Sequence, residues 1–160
     1  MRRLLLFFIA LAVLLSLVAC DSDSIPGHAE MRIPIEGYRE AEAEGFDAAY
    51  TDGERVVAII RISFEAGFKQ GIPETLSAKK FAELYMKETE RDEPISISGN
   101  IPYYEYRDSA NGGELYYLAS FYRSKHAYFL VLFATDTEDE ATARDAFLAI
   151  ADSIYFVYGK

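Results

Sequence analysis

The chain has no tryptophan, one cysteine, two histidines and five prolines in 160 residues. Each scarcity removes a class of protein. A single cysteine forms no intramolecular disulfide and builds no multi-cysteine metal site. His28 and His126 stand far apart in sequence, so no imidazole cluster is available for zinc. Basic side chains are outnumbered, 16 Lys and Arg against 26 Asp and Glu, for a net charge of −10. Such a surface repels phosphate backbones at long range, which argues against nucleic acid as a partner. Glycine-rich phosphate cradles are missing as well. Asn111-Gly112-Gly113 lacks the helix and lysine that such a cradle needs, and reads as a turn.

What is present begins at the N-terminus. Arg2 and Arg3 precede Leu4 to Ala19, a stretch without charge that ends in small residues at Cys20. A charged start, an apolar run and a small-residue junction are the anatomy of an export signal. Leu17-Val18-Ala19-Cys20 resembles the lipobox of bacterial lipoproteins. The resemblance implies that residues 1–19 are a signal peptide and that Cys20 carries a diacylglycerol thioether. The partner it implies is a membrane, reached through the lipid at Cys20. An ordinary secretory signal or a signal anchor is the competing reading, although a spanning helix needs about 20 apolar residues. Two acyl chains hold a protein stably where one does so only marginally. Asp21 resembles the signal that keeps Gram-negative lipoproteins on the periplasmic face of the inner membrane. In a Gram-positive cell the domain would instead face outward from the only membrane. Both place it outside the cytoplasm.

With the signal removed, 14 basic residues face 26 acidic ones, a net charge of −12. Residues 20–31, with Asp21-Ser22-Asp23-Ser24 and Pro26-Gly27, read as the lipidated cysteine and a flexible tether. Residues 32–160 then form one domain, long enough to bury a core without disulfides. Met31 to Ile35 suits a short edge strand, interrupted by Pro34. Asp52-Gly53 marks a type I′ hairpin between Phe46–Tyr50 and Glu54–Phe64. Ser77 is positioned to cap a helix to about Glu90, with Phe81, Ala82 and Tyr85 inward and a Glu83–Lys87 pair outside. Strands follow at 95–98, 103–107, 115–123 and 128–134, the last of them apolar throughout and so covered on both faces. Thr137-Glu138-Asp139-Glu140 fits a capping box for a final helix carrying Phe147, Ile150, Ala151 and Ile154. An aromatic tail, Tyr155-Phe156-Val157-Tyr158, closes the chain.

Hairpin, helix, meander and helix in that order indicate an α+β domain with an antiparallel sheet and helices on both faces. The apolar strand, Thr137-Glu138-Asp139-Glu140, the Phe147/Ile150/Ile154 helix and its aromatic tail resemble the C-terminal half of PsbP-like domains. That family is an α/β/α sandwich that includes extrinsic photosystem subunits and bacterial lipoproteins. The resemblance implies a binding or assembly module rather than an enzyme, and no functional residue transfers with it.

Candidate chemistry is sparse. Ser124 and His126 fall together in a turn, where both ordinarily meet water rather than form a triad. Asp136, Glu138, Asp139 and Glu140 lack calcium-loop spacing and fit helix capping better. No cofactor is implied. The unusual feature is tyrosine: all 12 lie after Cys20, and Tyr103, Tyr104, Tyr106, Tyr116, Tyr117 and Tyr122 share two neighbouring strands. Strand alternation must bury part of this set. Tyr104, Tyr106, Tyr116 and Tyr122 are expected in the core, while Tyr103 and Tyr117, with Glu105, Arg107 and Arg123, are expected to face solvent or a protein partner in the cell envelope. Three functions remain open: a non-catalytic membrane-anchored binding module, a small-ligand carrier with an aromatic pocket, and an extracytoplasmic hydrolase.

Overall fold

A computed structural model describes residues 30–110 and 113–158. The signal peptide, Cys20 and the tether up to residue 29 lie outside the described residues. Met31, expected as the end of the tether, already belongs to the first strand. The elements are β1 (Met31–Arg32), β2 (Arg39–Ala41), β3 (Ala48–Thr51), β4 (Val56–Ser63), α1 (Phe64–Lys69) and α2 (Ala78–Glu88). β5 (Ser96–Ser98), β6 (Ile101–Ala110), β7 (Gly113–Arg123) and β8 (Ala127–Asp136) come next. A short 3₁₀ turn (Thr137–Asp139), α3 (Glu140–Ser153) and β9 (Tyr155–Phe156) complete the described chain.

Seven strands form an antiparallel sheet in the order β2-β3-β4-β8-β7-β6-β5. β1 and β9 make a separate antiparallel pair. β8 occupies the centre because Tyr128 to Ala134 offers apolar side chains to both faces. Tyr128, Leu130 and Leu132 join Phe81, Ala82 and Met86 of α2 in one core. Phe129, Val131 and Phe133 join Ala143, Phe147 and Ala151 of α3 in the other. A helix therefore covers each face, as an α+β sandwich requires. β4 repeats the division, with Val56, Ala58 and Ile62 on the α2 side and Val57 and Ile59 on the α3 side.

Several local expectations give way to the structure. The Asp52-Gly53 turn is not a two-residue type I′ turn. Thr51 pairs with Val56, which leaves a four-residue loop in which Asp52 Oδ1 accepts from the amides of Glu54 and Arg55 at 2.9 and 2.7 Å. Only Gly53 in that loop has a positive φ, 107°. Phe64 does not extend β4. The Ser63 hydroxyl accepts from Ala66 N at 3.1 Å and starts α1 instead. α2 begins as expected, with the Ser77 side chain accepting from Lys80 N, but ends at Glu88. Glu90, at φ 54°, then takes the left-handed position after the helix, and Arg91 N reaches Met86 O at 2.9 Å. Glu83 pairs with Lys80 at 2.7 Å rather than with Lys87. The capping box does not form either. The Thr137 hydroxyl donates to Glu114 O at 3.3 Å, and the Glu140 carboxylate is taken by Arg107.

Candidate functional site

The tyrosine strands were the strongest sequence candidate, and the register of β6 on β7 decides how they are used. Ala110 pairs with Gly113, leaving two residues between the strands, and Tyr106 consequently lies opposite Tyr117. A three-residue turn would have paired even positions with even ones. With two residues the parity reverses. Tyr104, Tyr106 and Tyr117 therefore share the α2 face, while Tyr103, Tyr116 and Tyr122 share the α3 face.

The expected exposure of Tyr103 and Tyr117 is overturned. They are 6% and 2% exposed, each lying in one of the two cores. Both faces of the sheet carry a helix, so neither tyrosine group is left over for solvent. Among the other residues expected at a partner surface, Arg107 and Arg123 are exposed and Glu105 is half-buried. Glu105 and Arg107 lie beside α3. Arg123 lies on the opposite face, its guanidinium 5.2 Å from the Phe64 ring centroid and donating to Glu74 O at 3.0 Å. The five residues do not form one patch.

On the α3 side the charged groups build a clasp. Arg144 Nε donates to Glu105 Oε1 at 2.7 Å, and its Nη2 reaches Glu105 Oε2 at 3.3 Å and the Tyr103 hydroxyl at 3.1 Å. The Tyr116 hydroxyl donates to the same Glu105 Oε1 at 2.5 Å. Burial and then the Glu105 carboxylate hold the Tyr116 phenol well above its ordinary range. The hydrogen bonds to Glu105 raise the Arg144 guanidinium as well. Further along, Arg107 meets Glu140 Oε2 at 2.6 Å. These groups tie α3 to β6, with Glu105 accepting from three donor groups of two residues. Sequence reasoning missed Arg144. Its place three residues before Phe147, at the border of the apolar stripe, was the signal that it could reach the sheet.

On the α2 side the interior is filled by rings. Phe81 stacks on Tyr128 with centroids 4.5 Å apart, and Tyr106 stacks on Tyr117 at 4.6 Å. Arg91 lies 3.9 Å over the Tyr106 ring and pairs with Glu93 at 3.0 Å. The void beneath Arg91, lined also by Phe46, Tyr85, Tyr104, Leu130 and Leu132, has about 10 Å³, room for one water at most. A larger open groove of about 510 Å³ runs outside the core along Phe64, Glu65, Phe68, Pro73, Glu74 and Thr75.

Ser124 and His126 do meet in the β7–β8 turn, but through the His126 backbone amide rather than its imidazole. The Ser124 hydroxyl accepts from the amides of His126 and Ala127 and donates to Glu30 Oε2 at 2.9 Å. His126 Nε2 lies 3.6 Å from Glu30 Oε1. The turn thus receives the start of the domain, a role that the sequence did not reveal. Among the described residues, no group of three or more His, Cys, Asp or Glu side chains is placed to hold a metal ion. Nor is any described helix long and apolar enough to cross a membrane.

No protein-family model matches the chain, and no curated protein matches it. Solved structures do. A crystal structure from Bacteroides thetaiotaomicron is similar with a TM-score of 0.54 at 11% identity, over 80% of this chain and 44% of that one. This chain thus spans less than half the length of that protein. LpqN, described as involved in cell envelope biogenesis of Mycobacterium tuberculosis, gives 0.42 at 10% identity, over 82% and 87% of the two chains. Cyanobacterial PsbP from Synechocystis gives 0.43 at 12% identity, over 87% and 98%. At these identities the likeness concerns the fold alone.

Proposed function

We propose that the chain is a lipid-anchored, extracytoplasmic binding or assembly module and not an enzyme. The observation that carries this reading is the only cysteine, Cys20, directly after Leu17-Val18-Ala19 and shortly before the described domain opens at Glu30. The packing supports the second half of the reading. The Glu105 carboxylate in the tyrosine region is already held by Tyr116 and Arg144. As sites for a small-ligand carrier, the 510 Å³ groove along Phe64 and Phe68 lies open outside the core, and the void between α2 and the sheet under Arg91 has about 10 Å³. That void is far below the roughly 300 Å³ at which ligand pockets begin.

Fatty-acid labelling and membrane fractionation test the anchor. Wild-type protein should incorporate labelled palmitate and sediment with membranes. Cys20→Ala should lose the label and either leave the membrane or accumulate as uncleaved precursor. Equal labelling of both forms would end the lipoprotein reading.

A further inference from the structure

The two ends of the sheet differ in kind. At one end lie the β7–β8 turn, α1, the β5–β6 turn and the β9 tail. Phe64 N donates to His126 O at 2.9 Å, which seats α1 against that turn. The Tyr158 ring lies 6.2 Å from the His126 ring, with Lys125 Nζ 4.4 Å from Tyr158. Val157 N donates to Glu30 O, and Ser98 Oγ to Asp152 Oδ2 near the end of α3. This end holds Phe68, 79% exposed, Tyr155 at 55%, Ile97 at 50%, and the partly open Val157 and Tyr158. They are the exposed large apolar side chains of the described residues, and strand direction places all five toward this end, spread from the helix after β4 to β5 and β9.

Charge divides the same way. Around these apolar groups stand Lys69, Arg123, Lys125 and Arg32, against Glu30, Glu65, Glu74 and Asp152. At the opposite end the loops carry Asp52 and Glu54, Asp108 and Glu114, and Glu138 and Asp139. The loops of the far end are thus more acidic than the surroundings of the exposed apolar side chains, where bases and acids balance.

We propose that the Phe68 end faces the bilayer and rests in the lipid interface, with Phe68 and Tyr155 entering the headgroup region. The proposal rests on the lipid-anchoring reading and gives it a direction. Exposed apolar clusters of this kind mark interaction sites, and amphipathic aromatic rings settle at membrane–water interfaces. Basic side chains beside them are drawn to anionic headgroups, while the acidic end is repelled. The point of attachment agrees. The ten residue steps from Cys20 to Glu30 reach at most about 33–36 Å. It joins the domain at the Phe68 end, where Glu30 bonds Ser124. Strands of ten residues add about 33 Å before the acidic end is reached. Only a fully extended tether would let that end touch the lipid.

The test uses the full lipidated chain in vesicles of phosphatidylcholine and phosphatidylglycerol. Lipidation consumes Cys20, so a single introduced cysteine can be labelled alone. Phe68→Cys, Tyr155→Cys, Glu54→Cys and Glu138→Cys, each carrying a polarity-sensitive fluorophore, are compared under a lipid-attached quencher. Quenching at 68 and 155 should exceed that at 54 and 138 several-fold. A chain that floats with the vesicles while all four labels are quenched alike overturns this facing and leaves the anchor intact. A chain that does not float overturns the anchor and the facing together. Protection at 68 that grows with protein density at constant lipid assigns the surface to a second copy and overturns the bilayer as its occupant.

Discussion

The two faces of the sheet use the same residue, tyrosine, for different work. Under α2, Tyr104, Tyr106 and Tyr117 contribute chiefly as rings, stacked on one another and on Phe121 at centroid separations of 4.6–5.9 Å. Under α3, the hydroxyls are the point. Tyr116 holds Glu105, Tyr103 accepts from Arg144, and Tyr122 donates to Ala151 O at 3.1 Å. The α2 face relies mainly on close ring packing, although its Tyr128 hydroxyl also donates to Pro73 O at 2.7 Å. The other fixes the position of its helix with directed bonds, which constrain orientation as ring area alone does not. Composition records only the number of tyrosines. Their division of labour follows from which helix lies above them.

The largest effects should come from removing the ring that seats each helix. Phe81 and Phe147 are almost fully buried, and Phe147 lies 5.1 Å from Phe133. Phe81→Ala and Phe147→Ala should each cost about 3–5 kcal/mol and lower Tm by roughly 10 °C or more. Thermal unfolding with matched costs supports two equivalent cores. A cost confined to one variant would break that equivalence.

Glu105→Ala comes next. It strands the Tyr116 hydroxyl and releases Arg144, but both charged side chains are partly open to water, 26% and 40% exposed. Solvent screening keeps the expected cost near about 1–2 kcal/mol. Urea unfolding checks it, and an unchanged midpoint would mean that the clasp does not hold α3.

Removing hydroxyls alone sharpens the contrast. Tyr116→Phe and Tyr122→Phe should each lose about 1 kcal/mol, whereas Tyr104→Phe and Tyr106→Phe should stay within about 0.5 kcal/mol. Equal losses on both faces would contradict the division between rings and ties.

The smallest effect is silent near neutrality. Burial pushes the Tyr85 phenol up to about 12. An unfolded tyrosine ionises near pH 10, so above that pH the unfolded chain holds fewer protons than the folded one. The contribution is fully present below about pH 10 and is lost as pH rises toward 12. Tyr85→Phe should flatten the fall in stability over that window, measured by urea unfolding at stepped pH.

Much of the architecture was legible because apolar periodicity is a long-range signal. The doubly apolar β8, the Ser77-capped helix and the Phe147 helix all follow from it. What escaped was decided by one or two residues. α1 is six residues long and contains Gly67, too short for a helical period to show. The loop after Ala110 was read one residue too long, and that single residue exchanged the partners of every tyrosine on β7. Thr137 offered a good cap, but Glu140 gained more from Arg107, a partner distant in sequence. At the candidate surface the residue types were recognised and their exposure was not. Alternation says which side chains share a face, never that both faces are covered.

β4 lies between β3 and β8, and its eight residues pair along their full length with Ala127 to Ala134. A growing or translocating chain therefore makes the first hairpin early and must leave one edge of it bare until almost all the rest has emerged. Such non-local closure is slow, because the loop entropy falls due before the pairing rewards it. For an exported chain, as proposed above, that delay would be useful. The sheet cannot lock while β8 is still on the side of synthesis, so its centre is assembled only after β8 has arrived.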